Sequence, residues 1–198
     1  MNAIPPSQDV KTQILDTAQR IMGQKGFSAV GLNEILSAAG VPKGSFYHYF
    51  GSKEAFGVAL LDRYFCDYLK ALGTLLDDDS KPAAQRLMAY WQHWLDTQAS
   101  GDPESKCLAV KLGAEVSDLS EAMRTVLDKG TSAIVARLAG SLAAGFADGS
   151  IPQGGDAQVL AASLYQLWLG ASMLAKVSHS REPMLAALAT TRRLLGQD

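Results

Sequence analysis

The chain has 198 residues, 47% hydrophobic and 19% charged, a balance that excludes an intrinsically disordered chain and allows one large or two small domains with real cores. Its formal net charge of -2 argues against a nucleic-acid partner until it is divided along the chain: residues 1–53 carry +2 and the remainder -4. There is no charged-then-apolar leader and no apolar run of about 18 residues, so neither export nor a membrane is indicated and the cytoplasm is the expected compartment. Neither a cofactor nor a metal is expected, and Cys66 and Cys107 are expected to be thiols rather than a disulfide.

Residues 1–7 are polar and Pro-containing and read as a loose arm. A first helix follows from about Asp9, with Ile14, Ala18, Ile21 and Met22 as its buried stripe, Gly23 and Gly26 near its end, and Phe27 as a plug for a three-helix core. Leu32, Ile35, Leu36 and Ala39 then recur at helical spacing, Gly40 ends that helix and Pro42 suits the first turn of another. The third helix has two unlike faces, with Phe46 and Phe50 four apart on one and Lys43, Gly44, Tyr47 and His48 on the other. Gly51 breaks the chain again and Ser52 supplies an N-cap for a helix opening with Lys53 and Glu54, whose free N–H groups form an anion site suited to a DNA phosphate.

From there Leu60, Leu61, Tyr64, Phe65, Tyr68, Leu69 and Leu72 continue the pattern into a helix that can reach ~35 Å. Asp77, Asp78, Asp79 and Ser80 close it, with Ser80 expected as the next N-cap and Pro82 in the following first turn. Leu87, Tyr90, Trp91, Trp94 and Leu95 lie on the next helix, which ends at Ser100–Pro103. A short helix over Cys107–Val116, a long one over Ser117–Phe146, a Gly- and Pro-rich loop over Asp148–Asp156 and two last helices over Ala157–Val177 and Met184–Leu195 complete an all-α chain without strand alternation. The penultimate helix is apolar on more than one face and rich in small residues, which fits either the centre of one subunit's core or a surface that meets another helix.

The segment VPKGSFYHYFGSKEAF (residues 41–56), within Thr12–Phe56, resembles the recognition-helix region of the TetR family of transcriptional regulators. That resemblance implies a three-helix helix-turn-helix domain over residues 1–54 and a helical sensing and dimerisation domain over residues 55–198. It also implies a homodimer through the last two helices and, as partner, a palindromic double-stranded operator whose successive major grooves lie about 34 Å apart. Tyr47 and His48 would meet phosphates or thymine methyl groups, Gly44 would permit close backbone approach, and Lys43 and Ser45 would donate to phosphate or base edges. Lys53 and Thr12 would be phosphate contacts. The chain departs from the family pattern at Val30, Gly31 and Asn33, where an arginine often reaches DNA; Asn33 can pair with adenine instead.

A regulator needs a signal that opposes DNA binding. Trp91, Trp94, Tyr165 and Trp168, with Tyr90 and His93 nearby, could line a pocket for a small organic inducer or be plain aromatic core. Cys107 starts a helix beside Lys106 and four residues before Lys111, which favours a thiolate; the same pattern also fits a small buried side chain with surface lysines. Cys66, between Phe65 and Asp67, is expected to be a packing residue. Lys176, in SMLAKVS, either snorkels to solvent or faces a pocket. The segments CLAVKLGAEVSDLSEAMRTVLDKG and YQLWLGASMLAKVSHSREPM are similar to those of electrophile-responsive members of the family, which implies that Cys107 senses small electrophiles or oxidants with Lys176 as its partner. Reversible binding of a small organic ligand such as an unsaturated acid is the alternative. An enzyme is not expected: a thiol enzyme pairing Cys107 with His93 would lack an orienting third group and an oxyanion site.

Overall fold

The computed structural model describes residues 7–99 and 107–197. The expected N-terminal arm up to residue 6, the turn at residues 100–103 and Lys106 lie outside them. Among the described residues the chain forms helices only: α1 Ser7–Lys25, α2 Leu32–Ala39, α3 Lys43–Phe50, α4 Lys53–Leu76, α5 Ala83–Ala99, α6 Leu108–Leu119, α7 Glu121–Asp148, α8 Ala157–Ser178 and α9 Glu182–Leu195. The all-α expectation and the order of elements hold, with boundaries moved by a few residues.

Compactness divides the described residues differently from the expected boundary at residues 54 and 55. Those within Met1–Phe65 and Lys106–Asp128 form one unit, and those within Cys66–Ser105 and Lys129–Asp198 form the other. The first unit therefore contains α6, which a reading in linear order assigns to the C-terminal half.

In the first unit Ile14, Ala18, Met22 and Phe27 are buried as expected, whereas Ile21 is only half-buried and Leu15 takes its place in the core. Gly40 ends α2 in a left-handed conformation (φ 64°), its N–H and that of Val41 returning to carbonyls of Ser37 and Leu36. Phe46 and Phe50 on α3 and Phe56 on α4 form a buried trio with ring centroids 5.1–5.3 Å apart, and such pairs add about 0.5–1.5 kcal/mol each beyond their buried area. Ser52 caps α4 as expected, its hydroxyl accepting the Ala55 N–H at 3.0 Å.

In the second unit α8 and α9 pack on one another, and α5 packs on α9. The expected Ser80 cap of α5 does not form, because both the N–H and the hydroxyl of Ser80 are turned onto Asp78. The open N–H groups of α5 are met from across the fold instead: Asp148 accepts from Ala83 at 3.0 Å and Ser150 from Ala84 at 3.1 Å. By length and composition α7 is apolar enough to cross a membrane, contrary to the expectation of no such run. Its Ile134, Leu138 and Leu142 are nonetheless buried in this unit's core, and Arg137 binds Asp77 at 2.6 Å.

Candidate functional site

The α2–α3 pair presents the face that the sequence marks. Asn33, Lys43, Gly44, Tyr47 and His48 are exposed, Ser45 and Tyr49 are half-buried, and Phe46 and Phe50 point into the core. Tyr47, a large side chain left 55% exposed, stands edge-on to Phe46 at 5.5 Å, so its ring is braced against the core while much of its surface stays open. A Cβ added at Gly44 or Gly31 would meet nothing within 4 Å, so both backbones are open to a close partner.

Lys53 and Thr12 are partly engaged within the protein. The Lys53 ammonium donates to the Val30 carbonyl at 3.2 Å and lies 5.1 Å from the centre of the Phe27 ring. Thr12 is half-buried and its carbonyl accepts from Arg63 at 3.2 Å, while Arg63 also pairs with Asp16 at 2.7 Å. Any phosphate contact by Lys53 competes with these internal partners.

Cys107 lies in the same unit. It is buried, at the N-cap position of α6, and the Tyr64 hydroxyl from α4 donates to its Sγ at 3.3 Å. Burial pushes the thiol's pKa up, and this outweighs the Tyr64 hydroxyl and the Val110 and Ala109 amides, which favour the anion without forming a cap bond of good geometry. The shift favours the neutral thiol and so agrees with the second of the two sequence readings, a small buried side chain, rather than with the thiolate. Of the two lysines expected to activate it, Lys106 is outside the described residues and Lys111 acts on Glu115 one turn further along α6. Cys66 reverses its expectation: it is exposed, and it faces Lys70, whose pKa it raises together with Asp67.

Two residues that sequence reading missed complete this region. Tyr64 was read only as apolar pattern. Glu115 accepts the backbone N–H of Phe27 at 3.0 Å and of Ser28 at 2.6 Å. Burial alone would raise its carboxyl, but the Ser28 and Phe27 donors with Lys111 bring the pKa below the ordinary value. Neither residue carries a local sequence signal.

The aromatic residues sit in the second unit, all buried. Trp91 stacks on Trp168 at 5.1 Å and 14°, and Tyr165 meets Trp94 edge-on at 5.8 Å. Trp94 donates to Ser172 and Trp168 to Thr191, both at 3.0 Å, whereas the buried Trp91 Nε1 has no hydrogen-bond partner among the described residues. Lys176 is exposed in the last turn of α8, and His93 is exposed on α5.

Residues 14–60 match the family model for bacterial regulatory proteins of the tetR family, and residues 83–191 match that for the tetracyclin repressor-like C-terminal domain. The chain belongs to the TetR family. Members of this family are regulators that bind operator DNA and act as dimers, and they are not enzymes. The chain is 43% identical over 187 residues to the HTH-type transcriptional repressor NemR of Escherichia coli, covering 94% of each chain. It is 31% identical to the HTH-type transcriptional repressor DhaR of a Mycobacterium species, covering 88% of this chain and 86% of that one. The crystal structure of reduced E. coli NemR superposes with a TM-score of 0.90, covering 96% of this chain and 98% of that one.

Proposed function

We propose that this protein is a cytoplasmic, homodimeric transcriptional repressor that holds a palindromic operator while Cys107 is reduced and releases it when that thiol reacts with a small electrophile or oxidant. The observation that carries the reading is that Cys107 belongs to the same compact unit as the helix-turn-helix, at the head of the helix whose Glu115 holds the α1–α2 turn. Similarity to a NemR repressor over most of the chain supports the sign of the response.

Burial selects the reagent. A neutral thiol packed against Tyr64 favours small, uncharged electrophiles over bulky or ionic ones, and it reacts through its minor thiolate form. With an unsaturated carbonyl, sulfur bonds to the β-carbon, the alkene pair moves onto the carbonyl, and the proton lost from sulfur is balanced by one gained at the α-carbon. The added atoms overfill a packed site at a cost of about 1–3 kcal/mol. If that strain is relieved by moving α6, it can weaken operator binding by roughly 5–150-fold. Dimerisation would use α8 and α9, where Val159, Met173, Leu174, Val177, Leu185 and Leu194 leave apolar side chains at the surface.

Operator selection followed by a mobility shift with and without a reactive aldehyde tests the reading. Retention of the shifted complex after complete modification of Cys107 would contradict it. A second reading, reversible release by a small organic ligand, is favoured by one observation, the unpartnered indole N–H of buried Trp91, which would suit a ligand carrying an acceptor oxygen. Release that reverses on dialysis without reductant, and survives in Cys107→Ser, would select it.

A further inference from the structure

The turn between α1 and α2 has two backbone donors, the N–H groups of Phe27 and Ser28, that a single side chain satisfies from a helix 87 and 88 residues away in sequence. Glu115 spans both, one carboxylate oxygen to each, so the turn is fixed in orientation as well as position. The seat is built for it. Gly26 adopts φ 97°, a backbone that side chains avoid, and a Cβ there would lie 3.0 Å from a Glu115 oxygen. Lys111, one turn earlier on α6, favours the ionised carboxylate.

The same turn is held from the other side. The Phe27 ring lies under the Lys53 ammonium and against Gly57, where an added Cβ would come within 2.9 Å of it. Val30, closing the turn, gives its carbonyl to Lys53. α2 begins two residues after Val30, and α3 follows it across the Gly40 turn. The direction in which α2 and α3 leave α1 is therefore set at a turn whose amide donors are fastened to α6.

We infer that Glu115 is a positioning residue for operator recognition: its carboxylate fixes the α1–α2 turn and so holds α2 and α3 in the arrangement that reads bases. It touches no DNA itself. Any displacement of α6 reaches the reading helices through this contact, whether or not Cys107 is its cause. The inference deepens the operator-binding reading and rests on it.

Positioning and phosphate attraction separate experimentally, because non-specific binding depends on charge whereas specific binding depends on geometry. The full-length wild type and Glu115→Ala, Glu115→Asp and Glu115→Gln are compared on the operator selected by the wild type and on a scrambled duplex of equal length. Glu115→Asp keeps the charge but loses reach; Glu115→Gln keeps the reach and one acceptor oxygen. The expected result is a fall of about tenfold or more in operator affinity for Ala and Asp, unchanged affinity for the scrambled duplex, and partial recovery in Gln. Operator affinity within twofold of wild type in Ala and Asp, or equal losses on both duplexes, would overturn the inference. If Ala does not fold, the Asp and Gln pair decides by the same criterion. Failure of the wild type to select any duplex would instead overturn the operator-binding reading beneath it.

Discussion

The Tyr64 hydroxyl donates a hydrogen bond to the Sγ of Cys107 across 3.3 Å, joining α4 to the head of α6 inside the unit that also contains α2 and α3. A buried sulfur with one phenolic donor is a slow nucleophile that a small change of environment can tune. The two thiols of this chain are accordingly placed in opposite conditions, Cys107 enclosed and Cys66 open beside Lys70.

A bulky thiol reagent should therefore label Cys66 first and Cys107 slowly, while a small electrophile narrows the gap. Because burial raises the Cys107 pKa above its ordinary value, its labelling rate should go on rising with pH beyond the point where a free thiol begins to level off. Tyr64→Phe removes the donor that favours the anion, and the rate at fixed pH should fall about fivefold, the equivalent of ~1 kcal/mol. Stopped labelling with mass-resolved peptides reads both sites. The same raised pKa gives Cys107 a contribution to folding stability that is fully present below the unfolded thiol's pKa, about 8.5, and is lost as pH rises toward the folded-state pKa, a slope that Cys107→Ser should remove.

Gly57 on α4 leaves no space for a side chain: an added Cβ would press on the Phe27 ring and on Met123 of α7. Gly57→Ala should destabilise the protein by about 1–3 kcal/mol, lowering the thermal midpoint by roughly 2–4 °C per kcal/mol for a chain of this size. Calorimetry of the purified protein measures it.

Much of this region was legible from residues near one another in sequence. Phe46 and Phe50 at four-residue spacing fixed the inner face of α3, Gly40 and Ser52 gave the turn and the cap, and Tyr47 and His48 followed onto the outer face. What stayed hidden depends on pairs brought together only by folding. Asp148 and Ser150 displaced Ser80 in capping α5 because they reach its open N–H groups from 65 and 66 residues away. Helical periodicity gives a residue's face but not what covers it, so Cys66, taken for packing, is exposed. Glu115 looked like one more surface carboxylate on a helix because nothing local marks the amides it binds.

On DNA, Asn33 and Lys43 should fail in different ways. Asn33→Ala should cost about 1–3 kcal/mol on the operator and relax preference at one base pair, leaving scrambled DNA unaffected. Lys43→Ala should weaken all duplexes alike and reduce the salt dependence by roughly one phosphate per subunit. Anisotropy titrations across a salt series distinguish the two.

The apolar surface of α8 makes a prediction about assembly. Met173, Leu174 and Val177 are 57%, 52% and 72% exposed in the single chain. Leu174→Asp with Val177→Asp should yield a folded monomer in sedimentation. Operator affinity should fall more than about 100-fold, since each half-site would then be held alone.

The central claim is tested most directly by following operator release and the modification of each cysteine in one titration with a small unsaturated aldehyde. Release should rise in proportion to the Cys107 adduct, be independent of the Cys66 adduct, and vanish in Cys107→Ser. Release that tracks Cys66, or persists undiminished in Cys107→Ser, would contradict it.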